Sequence, residues 1–172
     1  MNYPTIFQYT LTVLGITLLS GLKLSAQSQD CYTIPAKAIN TAVVSDYAPT
    51  YFDKGRQAIA VNSIKYPDQY AAVSFSFDQA TGVYDIYLTS LLESDGESTY
   101  QILIDGKLVG EYQNPESTED YKPFENVFKE VSLQKGATVS VACIAHTNGK
   151  VPEGSGTAYA RGRWTSIRFC KN

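Results

Sequence analysis

Beyond residue 58, apolar and polar side chains alternate with a period of two in one short segment after another. Successive side chains of a strand face opposite sides of a sheet, so this period marks half-buried strands. It predicts strands over 58–64, 70–77, 83–88, 99–104, 108–113, 127–133, 138–145 and 164–170, and 32–39 adds one before them. Asp105-Gly106, between two of these runs, is the strongest hairpin signal, because a tight two-residue turn needs positive φ at both centres. Ala80-Thr81-Gly82 and Gln134-Lys135-Gly136 read as further turns. No stretch after residue 30 carries a helical period. About nine strands at roughly even spacing predict an all-β chain, an antiparallel β-sandwich or barrel.

Three long segments between the predicted strands are 45–56, 114–124 and 146–163. Loops of this length in a small sandwich usually have a use.

The first segment has a different pattern. Residues 11–19 are a short apolar run, Ser20 and Gly21 break it, and Leu24-Ser25-Ala26 offers a small residue before Gln27. This layout predicts a secretory signal peptide over 1–26, followed by a single domain over 27–172. The run is shorter than the roughly 20 residues a membrane span needs. No Lys or Arg precedes it, which fits less well and keeps a buried N-terminal element open. The residue after the small-residue site is Gln27 rather than Cys, so neither a lipid nor a membrane anchor is expected.

An oxidising compartment suits the cysteines. Cys31 opens the predicted domain and Cys170 nearly closes it, so neighbouring terminal strands would let them form a disulfide. Cys143, among Val139, Val141 and Ile144, reads as a small buried hydrophobe. A nucleophilic Cys143 with His146 is the other reading.

Composition narrows the function. The chain has 172 residues, 44% hydrophobic and 18% charged, with 13 Tyr and one His. That apolar share excludes disorder. A net charge of −3 and a pI near 5.1 argue against a nucleic-acid partner. A single His leaves no His-rich metal site. Nucleophile elbow, P-loop, dinucleotide fingerprint and zinc spacing are all missing.

Three motifs then occur in order: Gly82-Val83-Tyr84-Asp85-Ile86, Ile104-Asp105-Gly106-Lys107-Leu108-Val109-Gly110, and Leu133-Gln134-Lys135-Gly136. The order resembles that in the carbohydrate-binding modules of families 6 and 35, which are galactose-binding-like β-jelly rolls. The resemblance covers about residues 32–170. It implies a jelly roll and a polysaccharide or glycan ligand. It also implies that the loop before the third strand and the loop before the last motif supply stacking aromatics. Here those are Tyr51 and Tyr121, with Tyr47, Phe52 and Phe124 nearby. The acids that hold the family's structural calcium are missing at 34–38 and 164–169.

Rigid aromatic faces suit pyranose rings, and planar polar groups suit their hydroxyls. The candidate ligand-binding residues are therefore Tyr51, Arg56, Tyr121, His146, Asn148, Arg161, Arg163 and Trp164. Each Tyr has the competing reading of a plug at the end of the sandwich. In an extended segment, Arg161 and Arg163 share a side and can fork onto a carboxylate or sulfate. Their competing reading is an internal ion-pair network with the acidic turn Glu93-Ser94-Asp95-Gly96-Glu97. Glu93, Asp95 and Glu97 are in turn candidate Ca²⁺ ligands, although they do not match the twelve-residue calcium loop. No cofactor is required. The sequence thus reads as a secreted, non-catalytic carbohydrate-binding module. A small jelly-roll polysaccharide lyase or glycoside hydrolase is the enzymatic alternative, and a structural or adhesive surface protein the third.

Overall fold

The computed structural model describes residues 30–39 and 50–172. The predicted signal peptide and Tyr47 lie outside the described residues. In chain order the strands are β1 (Cys31–Pro35), β2 (Thr50–Asp53), β3 (Ala58–Val61), β4 (Ala71–Ser76), β5 (Gly82–Leu91) and β6 (Thr99–Ile104). They continue with β7 (Lys107–Gln113), β8 (Pro123–Leu133), β9 (Thr138–Ile144), β10 (Pro152–Glu153), β11 (Gly156–Thr157) and β12 (Trp164–Lys171).

All nine predicted strands contain a strand. The run predicted over 32–39 ends at Pro35, which has no N–H to donate onward, and a 3-10 turn follows over Ala36–Ile39. Three strands were not expected: β2, which interrupts the segment read as a loop over 45–56, and the two-residue pair β10 and β11.

The strands form two main sheets. One runs β2-β3-β12-β5-β8, and the other runs β4-β9-β6-β7. All pairings are antiparallel. β5 covers one edge of β12 from Trp164↔Ser90 to Lys171↔Tyr84. The other edge is shared: β1 pairs with residues 166–170, and β3 meets β12 only at Trp164↔Ile59. Cys31 stands opposite Cys170 in this register, and the two are joined as a disulfide.

The inner faces carry the apolar half of each alternation. Ile86 and Leu88 of β5, Ile167 and Phe169 of β12, Ile102 of β6 and Val139 of β9 are fully buried in one cluster. Aromatic rings tie the sheets together, with Phe77–Phe169 at 5.1 Å and Tyr112–Phe128 at 5.9 Å between centroids. The fold is the antiparallel β-sandwich that the periodicity predicts. The Asp105-Gly106 hairpin also forms, with φ of 49° and 77° at its two centres.

Candidate functional site

At the end of the larger sheet where β12 begins, the outer face gathers five of the eight predicted residues. The alternation of β2 explains why. Thr50 is buried and Phe52 packs on the core, so Tyr51 and Asp53 face outward. Tyr51 pairs with Ala60 and Asp53 with Ala58. On β3, Ile59 and Val61 belong to the core, which turns Ala58 and Ala60 to the outer side. Both alanines are nonetheless fully covered. Their small side chains leave room on that face for larger neighbours.

Arg163 supplies one. Its Nε donates to Asp53 Oδ2 at 2.7 Å and its Nη1 to Glu93 Oε1. The second Glu93 oxygen accepts the Arg161 backbone N–H at 3.0 Å. The Arg163 carbonyl accepts from the Tyr100 hydroxyl at 2.9 Å and from the Leu91 N–H at 2.9 Å. Arg163 is therefore tied at both ends. A buried ion pair is favoured when further hydrogen bonds satisfy its polar groups, and here the second Glu93 oxygen and the Arg163 carbonyl are both bonded.

Asp53 does a second job. Its Oδ1 accepts the Arg56 N–H at 3.1 Å, which fixes the turn between β2 and β3. From that turn the Arg56 guanidinium lies over the Tyr121 ring, 3.8 Å from its centroid, and the Arg163 guanidinium stands 5.3 Å from the same centroid. Tyr121 has φ of +66°. That conformation costs a non-glycine residue about 1–3 kcal/mol. The Tyr121 N–H bond to the Leu92 carbonyl, at 2.7 Å, helps hold it.

Electrostatics follow from this packing. Burial pushes the Glu93 carboxyl up to about 7, against the pull of Arg163 and with a further push from Asp95. Burial also pushes Asp53 up, but the bonds from Arg163 and from the Arg56 and Gly55 N–H groups bring it below its ordinary value. Burial raises the Tyr51 hydroxyl, and Arg163 and Arg161 oppose that.

Tyr51, Arg56, Tyr121, Arg161 and Arg163 thus form one surface. Arg161 and Arg163 do not act as a free pair, however. Gly162 between them has φ of +56°, which breaks the extended geometry that would align them. Arg163 has entered the internal network with Glu93, while the Arg161 side chain has a single carboxylate contact among the described residues, 3.8 Å to Glu153. Tyr51 sits in a strand rather than in a loop and is 38% exposed.

The other three residues sit elsewhere. His146 contacts Thr99 Oγ1 at 3.2 Å and Asp68 at 3.7 Å. Asn148 donates its backbone N–H to the Asp95 carbonyl at 3.0 Å and its side-chain amide to the Ser94 carbonyl at 2.9 Å. These bonds pin the segment after β9 to the 93–97 turn. Gly96 presses against the His146 carbonyl so closely that a Cβ there would overlap it. Trp164 is a correction. It is 1% exposed and packs in the core beside Ile59, so it offers no face to a ligand.

Two of the three candidate calcium ligands in the acidic turn, Glu93 and Glu97, are already engaged. Both Glu93 oxygens are bonded to arginine groups, and Glu97 Oε1 accepts from Asn148 at 3.4 Å. Among the described residues, no three His, Cys, Asp or Glu side chains gather where they could hold a metal ion. Cys143 is buried, and burial raises its thiol well above the ordinary value, as suits a core residue rather than a nucleophile.

Sequence reasoning missed Asp53, which joins the β2–β3 turn to Arg163. The alternation of small and large residues in Ala58-Ile59-Ala60-Val61 was the available signal. A strand whose outer positions are all alanine leaves space for a neighbour to cover it.

No known protein-family profile matches the chain. The chain is 34% identical over 124 residues to the uncharacterised protein P23 of Formosa agariphila, a match covering 69% of this chain. It spans 27% of the length of that relative. Among solved structures, an exo-β-1,3-galactanase from Phanerochaete chrysosporium, crystallised with galactose, matches 81% of this chain and 29% of its own. The TM-score is 0.51 at 12% identity. A GH26-CBM35 β-(1,4)-mannanase from Podospora anserina matches 83% of this chain and 28% of its own, with a TM-score of 0.51 at 14% identity. A family 35 carbohydrate-binding module from Clostridium thermocellum matches 81% of this chain and 98% of its own, with a TM-score of 0.49 at 11% identity. At these identities the likeness is one of fold alone, a β-sandwich.

Proposed function

We propose that residues 27–172 form an exported domain that binds a polysaccharide or glycan without cleaving it, through the outer face around Tyr51. The observation that carries this reading is the placement of Tyr51. A large ring, 38% exposed, stands on a rigid strand at a sheet edge, beside the covered alanines and within reach of the fields of Arg161 and Arg163. An aromatic side chain with two rotatable bonds loses little entropy when a sugar ring stacks on it. Two solved structures matched at a TM-score above 0.5 are a galactanase and a mannanase, which supports a sugar as the ligand class. Binding is favoured over hydrolysis because Asp53 and Glu93, the carboxylates beside Tyr51 and Tyr121, are both held by Arg163. A pair of catalytic carboxylates needs one free to donate a proton and one free to attack or to activate water. The disulfide and the apolar run at 11–19 support export.

Affinity electrophoresis through gels carrying neutral and acidic polysaccharides tests this. At least one polymer is expected to retard the protein without release of reducing or unsaturated ends. Tyr51→Ala is expected to abolish the retardation with its melting temperature nearly unchanged. Release of ends, or unaltered retardation of Tyr51→Ala on every polymer, overturns the reading.

A further inference from the structure

The four arginines of the chain have very different surroundings. Arg163 is bonded to Asp53 and Glu93, and Arg168 is held by both oxygens of Glu125, each at 2.9 Å. The Arg161 side chain has one carboxylate contact among the described residues, Glu153 at 3.8 Å. The Arg56 side chain has no carboxylate and no hydrogen-bond acceptor among the described residues, yet it is not loose. Asp53 fixes its turn through the backbone, and its guanidinium carbon lies over the Tyr121 ring, 3.8 Å from the centroid. All five N–H groups of a guanidinium point outward in its plane. Stacking uses the face and leaves the edges free. Arg56 is therefore a cation held in position with its donor edge open to solvent.

The support beneath it is equally specific. Tyr121 adopts a left-handed backbone that a tyrosine tolerates only under constraint, and such strain is concentrated where a side chain must be aimed. Its ring is held between the turn carrying Arg56 and the ion pair of Arg163. Arg163 is poorly placed to serve as the docking cation, because its side chain is only 13% exposed and its charge already faces Asp53 and Glu93. On the same face, Arg161 is the second guanidinium whose carboxylate contact is weak.

We infer that the Arg56–Tyr121 stack is an oxyanion-reading subsite, and that the glycan this surface takes is acidic. A carboxylate or sulfate of the chain accepts from the Arg56 edge, while a neighbouring ring rests on Tyr51. This inference rests on the carbohydrate-binding reading above. It moves Tyr121 from a stacking surface for sugar to the platform that aims Arg56. A bidentate guanidinium–oxyanion contact is charge-assisted and directional, so lysine does not reproduce it.

The test uses matched polymers: polygalacturonate against fully methyl-esterified pectin for a carboxylate, and carrageenan against desulfated carrageenan for a sulfate. Affinity electrophoresis of wild type, Arg56→Gln, Arg56→Lys and Tyr51→Ala is run on each, with melting curves to confirm folding. Retardation is expected on an acidic member and not on its neutral partner, and which pair responds identifies the oxyanion. Arg56→Gln is expected to weaken binding roughly ten- to a hundredfold, as loss of a charged hydrogen-bond pair does. Arg56→Lys is expected to recover only part of that. Equal retardation on neutral and acidic members, or unchanged binding by Arg56→Gln, overturns the inference and leaves carbohydrate binding standing. No retardation of the folded wild type on any polymer overturns both. Loss with Arg56→Gln but not with Tyr51→Ala supports the subsite and overturns the role of Tyr51.

Discussion

Removing the charge of Glu93 is expected to stabilise the protein at neutral and alkaline pH, although Glu93 takes part in an ion pair. Its side chain is 4% exposed, and burial pushes its carboxyl from an ordinary 4.5 to about 7. The folded state thus holds a proton on Glu93 across a range where the unfolded state has released it. Folding takes up a proton in that window, so stability falls as pH rises from about 4.5 to about 7. At roughly 1.4 kcal/mol per pH unit, the whole window is worth about 3 kcal/mol. Glu93→Gln keeps the shape and cannot ionise. Urea unfolding of the oxidised wild type and of Glu93→Gln, at intervals from pH 4 to pH 8.5, isolates this contribution. Asp53 and Asp95 titrate in both proteins and largely cancel in the difference. The wild type is expected to lose about 3 kcal/mol relative to Glu93→Gln across the series, with most of the loss below pH 7. A wild type that gains on the variant as pH rises would refute the reasoning. It would show that attraction to Arg163 outweighs the desolvation of both partners, the balance that decides every buried ion pair.

Two further outcomes follow from the fold. Reducing Cys31–Cys170, which closes a loop of 139 residues, is expected to remove about 5 kcal/mol on chain-entropy grounds. At about 2–4 °C per kcal/mol for a domain of this size, calorimetry would show a melting temperature roughly 10–20 °C lower, and a drop of a degree or two would contradict this. Gly162→Ala is expected to destabilise by about 2–4 kcal/mol, because the new Cβ meets both a left-handed backbone and the Cys143 sulfur. In a Cys143→Ala background the overlap disappears and only the backbone part, about 1–2 kcal/mol, should remain.

Periodicity carried the fold because a strand buried on one face must alternate, and β4, β5, β6, β9 and β12 all do so. It failed where that physics is weak. Four-residue β2 is Thr50-Tyr51-Phe52-Asp53, and two alternations are too few to stand out from a loop. Candidate residues were found by side-chain type, which selects groups that bind without saying what they bind. Arg56, Arg161 and Arg163 looked equivalent on that basis. Only tertiary packing separates Arg163, paired with Asp53 and Glu93, from Arg56, which lies over Tyr121 with its donor edge in solvent. Trp164 failed for a related reason. A lone tryptophan near glycines and arginines suits a ligand face, but an irregularity in β12 between Trp164 and Ser166 shifts the alternation by one and leaves Trp164 in the core with Ile167 and Phe169. The resemblance in the hairpin and turn motifs concerned backbone geometry, so it spoke to the sandwich and not to the ligand.

The link between Cys31 and Cys170 has a mechanical consequence. It joins the first described strand to the last, and the Lys171 N–H bond to the Asp30 carbonyl, at 2.9 Å, lies just outside it. Tension applied to the chain before residue 31 and after residue 170 passes from sulfur to sulfur and bypasses both sheets. The intervening residues hang as a closed loop that carries no load. The surface around Tyr51 lies at the opposite end of β12, about 20 Å away at 3.3 Å per residue. A tether pulled at those two points would therefore leave the ligand face undistorted while the disulfide is intact. In its reduced form, the same pull would peel β1 from β12 first.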